Sequence, residues 1–343
     1  MAYKPEYTIS NSMLNYVAEA EASRQIIENS LLVPQWERKF QTEALIRTIH
    51  HSVAIEGNGM SLKETEQVVR GEEVKTVRMR DIQEIINYRD VINYLPSLKE
   101  KSLSKDLLLD LHQRLGRRIL EGSKLGKLRK TDSVIVSSKT GEVVFDPPPA
   151  GEIGSEIEEL CDWDKSSTKD VHPLLKAGIL HFEVVRVHPF VDLNGRTARI
   201  VATWSLMREG YDIRRFFSLE EHYDQDARSY YEALDSGHSG DLSKWLTYFT
   251  EGVAIELRRI KEQVLELSRD HKLIQKLGQV ALNERQVAVI HYLEQNETFR
   301  NQDFRKLFAE ISDDTILRDL KDLMEKQIIR KRGRTKAAYY QLK

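Results

Sequence analysis

A chain of 343 residues, 40% hydrophobic and 31% charged with a formal net charge of −2, has the make-up of an ordinary globular protein long enough for two or three compact units. The near-zero charge excludes a global nucleic-acid or membrane footprint, so such a partner must be met by a local patch. A single cysteine, Cys161, excludes an intrachain disulfide and a cysteine metal cluster, and suits packing in a reducing compartment. No apolar run reaches the ~18 residues of a membrane span. The opening Met1-Ala2-Tyr3-Lys4-Pro5-Glu6-Tyr7 lacks the apolar core of a signal peptide, so a cytoplasmic location is expected.

The first helix is expected over residues 10–28, from a Ser10 or Ser12 cap through Leu14, Val17, Ala18 and Ile26. A second follows Pro34, with Trp36, Phe40, Ala44, Leu45, Ile46 and Ile49 as its apolar positions, and stops at Gly57 and Gly59. Ser52 and Glu56 lie one turn apart near its end and can face the same neighbour. Ser61-Leu62-Lys63-Glu64 is a capping box opening a short helix to Arg70, closed by Gly71. Arg80 to Leu95 and Leu103 to Leu120 are further amphipathic helices that read as scaffold, with His112 a packed or surface histidine. Between Gly122 and Pro149 the period changes. Val134-Ile135-Val136 and Glu142-Val143-Val144-Phe145, joined by the turn-rich Ser137 to Gly141, predict a hairpin, and Pro147 to Pro149 end it stiffly.

Chemistry concentrates in His188-Pro189-Phe190-Val191-Asp192-Leu193-Asn194-Gly195-Arg196-Thr197-Ala198-Arg199. Upstream, Leu174, Leu175, Gly178, Ile179, Phe182 and Val185 set a helical period that Pro189 ends near His188. Downstream, Ile200, Val201, Trp204 and Met207 restart one that runs to Gly210. The loop therefore discharges into a helix N-terminus, where backbone N–H groups at Asn194 and Gly195 form an anion site. Arg196 and Arg199, three apart, can both reach a polyphosphate. Asp192 can hold Mg²⁺ against phosphate oxygens, and His188 can take a proton near neutral pH. Together these groups read as phosphoryl or nucleotidyl transfer, with Phe190 anchoring the loop.

This stretch resembles the signature of the Fic family, typically protein adenylyltransferases. Leu193 stands where the family motif has Gly, a costly choice if the backbone there is left-handed. The resemblance implies transfer of AMP from Mg²⁺-bound ATP to a Ser, Thr or Tyr hydroxyl of a target protein or of the chain itself. It assigns His188 as the base, Asp192 to the metal, Asn194 and Gly195 to phosphate oxygens, and Arg196 and Arg199 to the β- and γ-phosphates. Ser52-Val53-Ala54-Ile55-Glu56-Gly57 is similar to the family's inhibitory motif, in which Glu56 pairs with Arg199 and keeps it from the γ-phosphate. Gly126-Lys127-Leu128-Arg129 and the following hairpin resemble the family's flap, whose strand, here Val134, Ile135 and Val136, aligns a target segment by edge pairing. Tyr230-Tyr231-Glu232-Ala233-Leu234-Asp235-Ser236-Gly237-His238 resembles the segment that borders the nucleobase. Tyr231 is the stacking candidate there, and His238 sits where a base-reading Asn is common.

Ile255 to Lys276 predicts a long charge-rich helix. Helices over 284–295, 301–309 and 313–326, the last capped by Ser312, then precede a Gly-tipped hairpin over Ile328 to Gln341. This pattern looks like a winged helix. Arg330, Lys331, Arg332, Arg334 and Lys336 on its wing could track DNA phosphates, whereas Asp313 and Asp314 at the tip of the would-be recognition helix oppose that contact. A protein-contact or homodimerisation module is the rival reading. The expectation is a mostly α protein with a Fic-type helical core, a small β-hairpin flap and a C-terminal winged helix. Its parts are an N-terminal helical region (1–100), a catalytic core (101–260), a linker helix (261–282) and the winged helix (283–343). Other group transfers or AMP removal at the same site, and a DNA-binding regulator with a nucleotide-sensing core, are the alternatives.

Overall fold

Side-chain caps open several of the helices in this computed structural model, which describes residues 3–30, 34–74, 78–136, 143–166, 170–211, 216–276, 282–296, 298–300, 303, 306–308, 311–326, 328–333 and 338–343. Ser10 accepts from Met13 N and opens α1 (Asn11–Glu28). α2 (Pro34–Ala54) follows. Ser61 and Glu64 make both bonds of the capping box at α3 (Leu62–Arg70), which Gly71 closes in the left-handed region. After α4 (Met79–Tyr94), Ser104 caps α5 (Lys105–Leu115). The expected helix to Leu120 is thus five residues too long. The side-chain amide of Asn87 takes the carbonyls of Leu115 and Arg117 at 2.8 and 2.7 Å, drawing off the acceptors that another turn would need.

The hairpin pairs β1 (Ile135–Val136) antiparallel with β2 (Val143–Phe145), Ile135 opposite Phe145, and its expected turn lies outside the described residues. Then come α6 (Ile153–Ser166), α7 (Pro173–Val187), α8 (Asn194–Arg208), α9 (Glu220–Gln225), α10 (Ala227–Gly237) and α11 (Ser243–Lys276). The chain over Trp245 to Phe249 and that over Ile255 to Lys276 form one helix, rather than a core segment followed by a new helix. α7 is the spine of the first compact unit (Met1–Asn29 and Pro34–Glu262), buried continuously from Leu174 to Val184. Gly178 permits this: a Cβ there would come 2.9 Å from the Leu246 side chain and 3.1 Å from the Phe249 ring. Its carbonyl accepts from the wholly buried Trp245 indole at 2.7 Å. Cys161 is buried and free, as a packing cysteine should be.

The second unit (Ser30–Val33 and Gln263–Lys343) contains α12 (Glu284–Gln295), opened by a capping box of Asn283 and Gln286. It continues with β3 (Phe299–Arg300), α13 (Asp313–Glu325) capped by Ser312, β4 (Ile329–Arg332) and β5 (Tyr339–Leu342). The strands form an antiparallel sheet ordered β3-β5-β4 over a core that includes Ile290, Phe299, Leu320 and Ile329. Most of the helix expected over 301–309, and the wing residues Arg334 and Lys336, lie outside the described residues. Among the described residues no helix is long and apolar enough to cross a membrane.

One buried ion cluster ties α6, α7 and α8 together. Asp164 pairs with Lys176 at 3.0 Å and receives both terminal nitrogens of Arg208 at 2.9 and 2.8 Å, with Asp164 and Lys176 each 1% exposed. Removing the shared anion leaves the buried Lys176 without its countercharge and Arg208 with only its 3.4 Å ion pair to Glu209. Asp164→Ala should therefore cost about 3–5 kcal/mol of stability, read as a lowered denaturant midpoint.

Candidate active site

The site is a bend between α7 and α8 made of residues that resist it locally. His188, just past α7, has φ 47°, and Leu193, just before α8, has φ 69°. Each is an L-residue in left-handed backbone, a conformation costing roughly 1–2 kcal/mol. The surroundings impose the shape. Asn194 closes the loop by donating to the Phe190 carbonyl and accepting from its N–H, both at 2.9 Å. The wholly buried Phe190 stacks on the His112 ring at 3.8 Å. His112 accepts from Gly126 N at Nδ1, so its Nε2 carries the proton and donates to the Asp192 carbonyl at 3.2 Å. Burial pushes the His112 pKa down to about 4, keeping this tautomer neutral. His112 thus fastens the loop as well as packing. Arg129, 3% exposed, gathers the carbonyls of His188, Thr131 and Pro148 and so joins the base of the hairpin to the bend.

Within this frame the Arg199 side chain is 1% exposed and held three times. Its Nε donates to Ser52 Oγ at 2.9 Å, and its Nη2 to the Ser52 carbonyl at 2.9 Å and to Glu56 Oε1 at 2.8 Å. The same Glu56 oxygen lies where a Cβ on Gly195 would come within 2.5 Å of it. The carboxylate therefore rests on the first turn of α8, the place a helix N-terminus offers to an anion. With Gly195 there is no Cβ to displace the carboxylate from that position. Arg196 is also committed, its Nη1 lying 3.1 Å from Glu84 of α4. Both arginines expected to face a polyphosphate are thus paired with carboxylates, and both are buried.

Asp192 is 43% exposed, with Oδ1 accepting from Leu193 N at 2.7 Å and Oδ2 lying 3.4 Å from Arg80. Among the described residues no three His, Cys, Asp or Glu side chains gather as a metal cage. A lone accessible carboxylate still suits Mg²⁺, which commonly takes one or two carboxylates and completes its shell with substrate phosphates and water. His188 is half-buried. Burial pushes its pKa below the ordinary histidine value of 6.5, against the opposing pull of the Val185 carbonyl, so the ring is a neutral base near pH 7.

The remaining sequence candidates are Tyr231, His238 and the hairpin strand. Tyr231 is 46% exposed, and its hydroxyl feels Glu56 and Arg199. The His238 ring stacks on Phe145 of β2 at 3.6 Å, which occupies one face, and its Nδ1 is buried with no hydrogen-bond partner. Val134 is 55% exposed beside β1, Ile135 is half-buried, and the Val136 side chain lies outside the described residues. Sequence reasoning gave no role to Glu84, Arg80 or Arg129. The spacing of four between Arg80 and Glu84 marks only their own pairing, whereas the Asp192, Arg196 and His188 groups that Arg80, Glu84 and Arg129 meet lie 112, 112 and 59 positions away.

Residues 102–206 match the model of the Fic/DOC family. The chain is similar to protein adenylyltransferase Fic of Nematostella vectensis, 31% identical over 216 residues, 60% of this chain and 46% of that one. It is also similar to protein adenylyltransferase fic-1 of Caenorhabditis elegans, 27% identical over 231 residues, 65% and 42% respectively. The chain spans less than half the length of these curated relatives. A crystal structure of a Fic family protein from Desulfovibrio desulfuricans G20 superposes with a TM-score of 0.67 at 24% identity, over 99% of this chain and 98% of that one. Fic-1 from C. elegans gives 0.62 at 24% identity, over 74% and 73%. These two structures share the fold.

Leu193 sets two effects against each other. Leu193→Gly would relieve roughly 1 kcal/mol of backbone strain but empty the space of a side chain only 3% exposed, a loss of about 2–5 kcal/mol. The packing loss is larger, so the variant should lower unfolding free energy by about 1–4 kcal/mol in urea titrations.

Proposed function

Residues 102–206 match the Fic/DOC family model, and from that match we propose that this chain transfers AMP from ATP to a Ser, Thr or Tyr hydroxyl of a protein, itself included, and is held in check by Glu56. The observation that carries the reading is the carboxylate of Glu56 lying against Gly195 while bound to Arg199. An anion site already filled by the chain's own anion is what an inhibited polyphosphate site should look like.

In the open state the first N–H groups of α8 cradle phosphate oxygens, and Arg196 and Arg199 take the β- and γ-phosphates. His188 accepts the proton of the incoming hydroxyl, whose oxygen bonds to the α-phosphorus as the bond from that phosphorus to the bridging oxygen breaks. The products are the AMP-modified side chain and pyrophosphate. Asp192 would hold Mg²⁺, which supplies charge neutralisation on the phosphates. Positioning and electrostatics carry such transfers, and neither needs a covalent enzyme intermediate. Tyr231 offers a face to the base, and His238 Nδ1 a hydrogen-bond acceptor or donor. The edge of β1, beside the exposed Val134 side chain, suits an extended target segment. For the C-terminal unit taken alone, the exposed Arg330, Lys331 and Arg332 of β4 favour a winged-helix module touching nucleic-acid phosphates.

Labelling with α-labelled ATP and Mg²⁺ tests the reading. Glu56→Gly should raise incorporation roughly 5- to 150-fold, the usual span of a coupling between two sites. His188→Ala in that background should lower it by about 10²–10⁴. Equal labelling by the parent and Glu56→Gly would remove the inhibitory role while sparing the catalytic one. Because burial lowers the His188 pKa, the neutral base persists on acidification past the ordinary histidine value. The acid limb of kcat/KM for Glu56→Gly should accordingly have its midpoint below pH 6.5.

A further inference from the structure

Glu84 is a buried carboxylate at the mouth of the site that the reaction above does not use. It projects from the body of α4 and is 8% exposed. Its Oε1 lies 3.1 Å from Arg196 Nη1 and 3.0 Å from Arg80 Nε, and its Oε2 accepts from Asn58 Nδ2 at 3.1 Å. Burial alone would push its pKa up, but Arg196, Asn58 and Arg80 together hold it below the ordinary carboxylate value, so it stays charged. Arg196, itself 5% exposed, spends one end of its guanidinium on this contact, and its Nε is buried with no hydrogen-bond partner. In front lies a cavity of about 470 Å³ lined by Glu56, Arg80, Glu84, Asp192 and Arg196 among others.

The two carboxylates that hold the motif arginines differ in what they can do. Glu56 is 28% exposed, lies beyond the last turn of α2 and is followed by Gly57 at φ 87°, so a small backbone change can withdraw it. Glu84 sits within α4, with partners one turn away on its own helix, on α8 and on the loop after α2. Freeing it would strand a buried charge. We propose that Glu84 is a positioning residue that remains on Arg196 while nucleotide binds, fixing the guanidinium so that its unspent nitrogens meet the β-phosphate. Asn58, two residues beyond Glu56, also donates to the Asp81 carbonyl at 3.1 Å and so anchors the loop after the inhibitory helix to the same α4 turn. Glu56 and Glu84 therefore act with opposite sign: removing the first opens the site, and removing the second loosens it. The inference rests on the phosphate-binding reading of the site.

Calorimetric binding of ADP and AMP to the full chain, in the Glu56→Gly background, tests it without requiring turnover. Glu84→Gln should weaken ADP by about tenfold or more, the scale of a charge-assisted contact to a phosphate, and leave AMP, which has no β-phosphate, unchanged. Arg196→Ala should do the same, and the double variant should bind ADP no more weakly than Arg196→Ala alone. Thermal melts establish that each variant folds, and Glu84→Asp, one methylene short, is read identically if Glu84→Gln does not. Unchanged or tighter ADP binding by Glu84→Gln, equal losses for ADP and AMP, or additive losses in the double variant would each overturn the proposal. A Glu56→Gly parent that bound no ADP would instead overturn the phosphate reading itself, and this inference with it.

Discussion

A guanidinium buried to 1% exposure must be answered by its surroundings, and around Arg199 that answer organises the domain. Ser52 supplies two acceptors and Glu56 the countercharge, so the end of α2 is drawn onto the start of α8. The same placement puts a carboxylate on the N-terminal turn of α8, where the helix most favours an anion. One ion pair thereby serves two ends: it satisfies a buried cation and places an anion on the N-terminal turn of α8. Any nucleotide that enters must replace both services at once, offering Arg199 a negative charge and α8 an acceptor. A triphosphate has the chemistry to do so.

The bend that carries the reactive groups is rigid because its strain is opposed from several sides. Left-handed backbone at His188 and Leu193 would relax in an isolated peptide. Here the Asn194 amide, the neutral His112 ring and the Arg129 fork each hold backbone of the loop, and the Phe190 ring is wedged beneath it. Distributing the restraint over α5, the hairpin base and α8 keeps the imidazole and the arginines in fixed relation, which positional catalysis demands. Burial also keeps both imidazoles, His112 and His188, neutral near pH 7.

α4 gains importance in this arrangement. Its Arg80 and Glu84 reach Asp192 and Arg196, and its Asn87 ends α5 by taking two carbonyls. A helix that reads as scaffold from its apolar stripe thus shapes the site through its polar one. Charges balance locally across the mouth, with Arg80 and Arg196 set against Glu84 and Asp192. An incoming polyanion meets a pre-arranged field in place of a loose set of side chains.

The caps at Ser10, Ser61 and Ser312 were readable in the residue order, because each bonds a backbone group three residues on, while those at Ser104 and Asn283 went unread. The run from His188 to Arg199 was readable too, since a helix end, a short loop and a helix start fix which groups share a turn. So was the presence of an acid, Glu56, one turn from Ser52. Periodicity misjudged the end of α5, where Leu115 and Ile119 continue the apolar rhythm while Asn87, far off in the chain, removes the carbonyls that the rhythm would need. It likewise left Glu84, Arg129 and the bonding role of His112 unassigned. A lone charged or polar residue on a helix or loop has no sequence spacing that declares its partner. Folding brought α4, the hairpin base and the catalytic bend together, and desolvation then made each of these polar contacts obligatory.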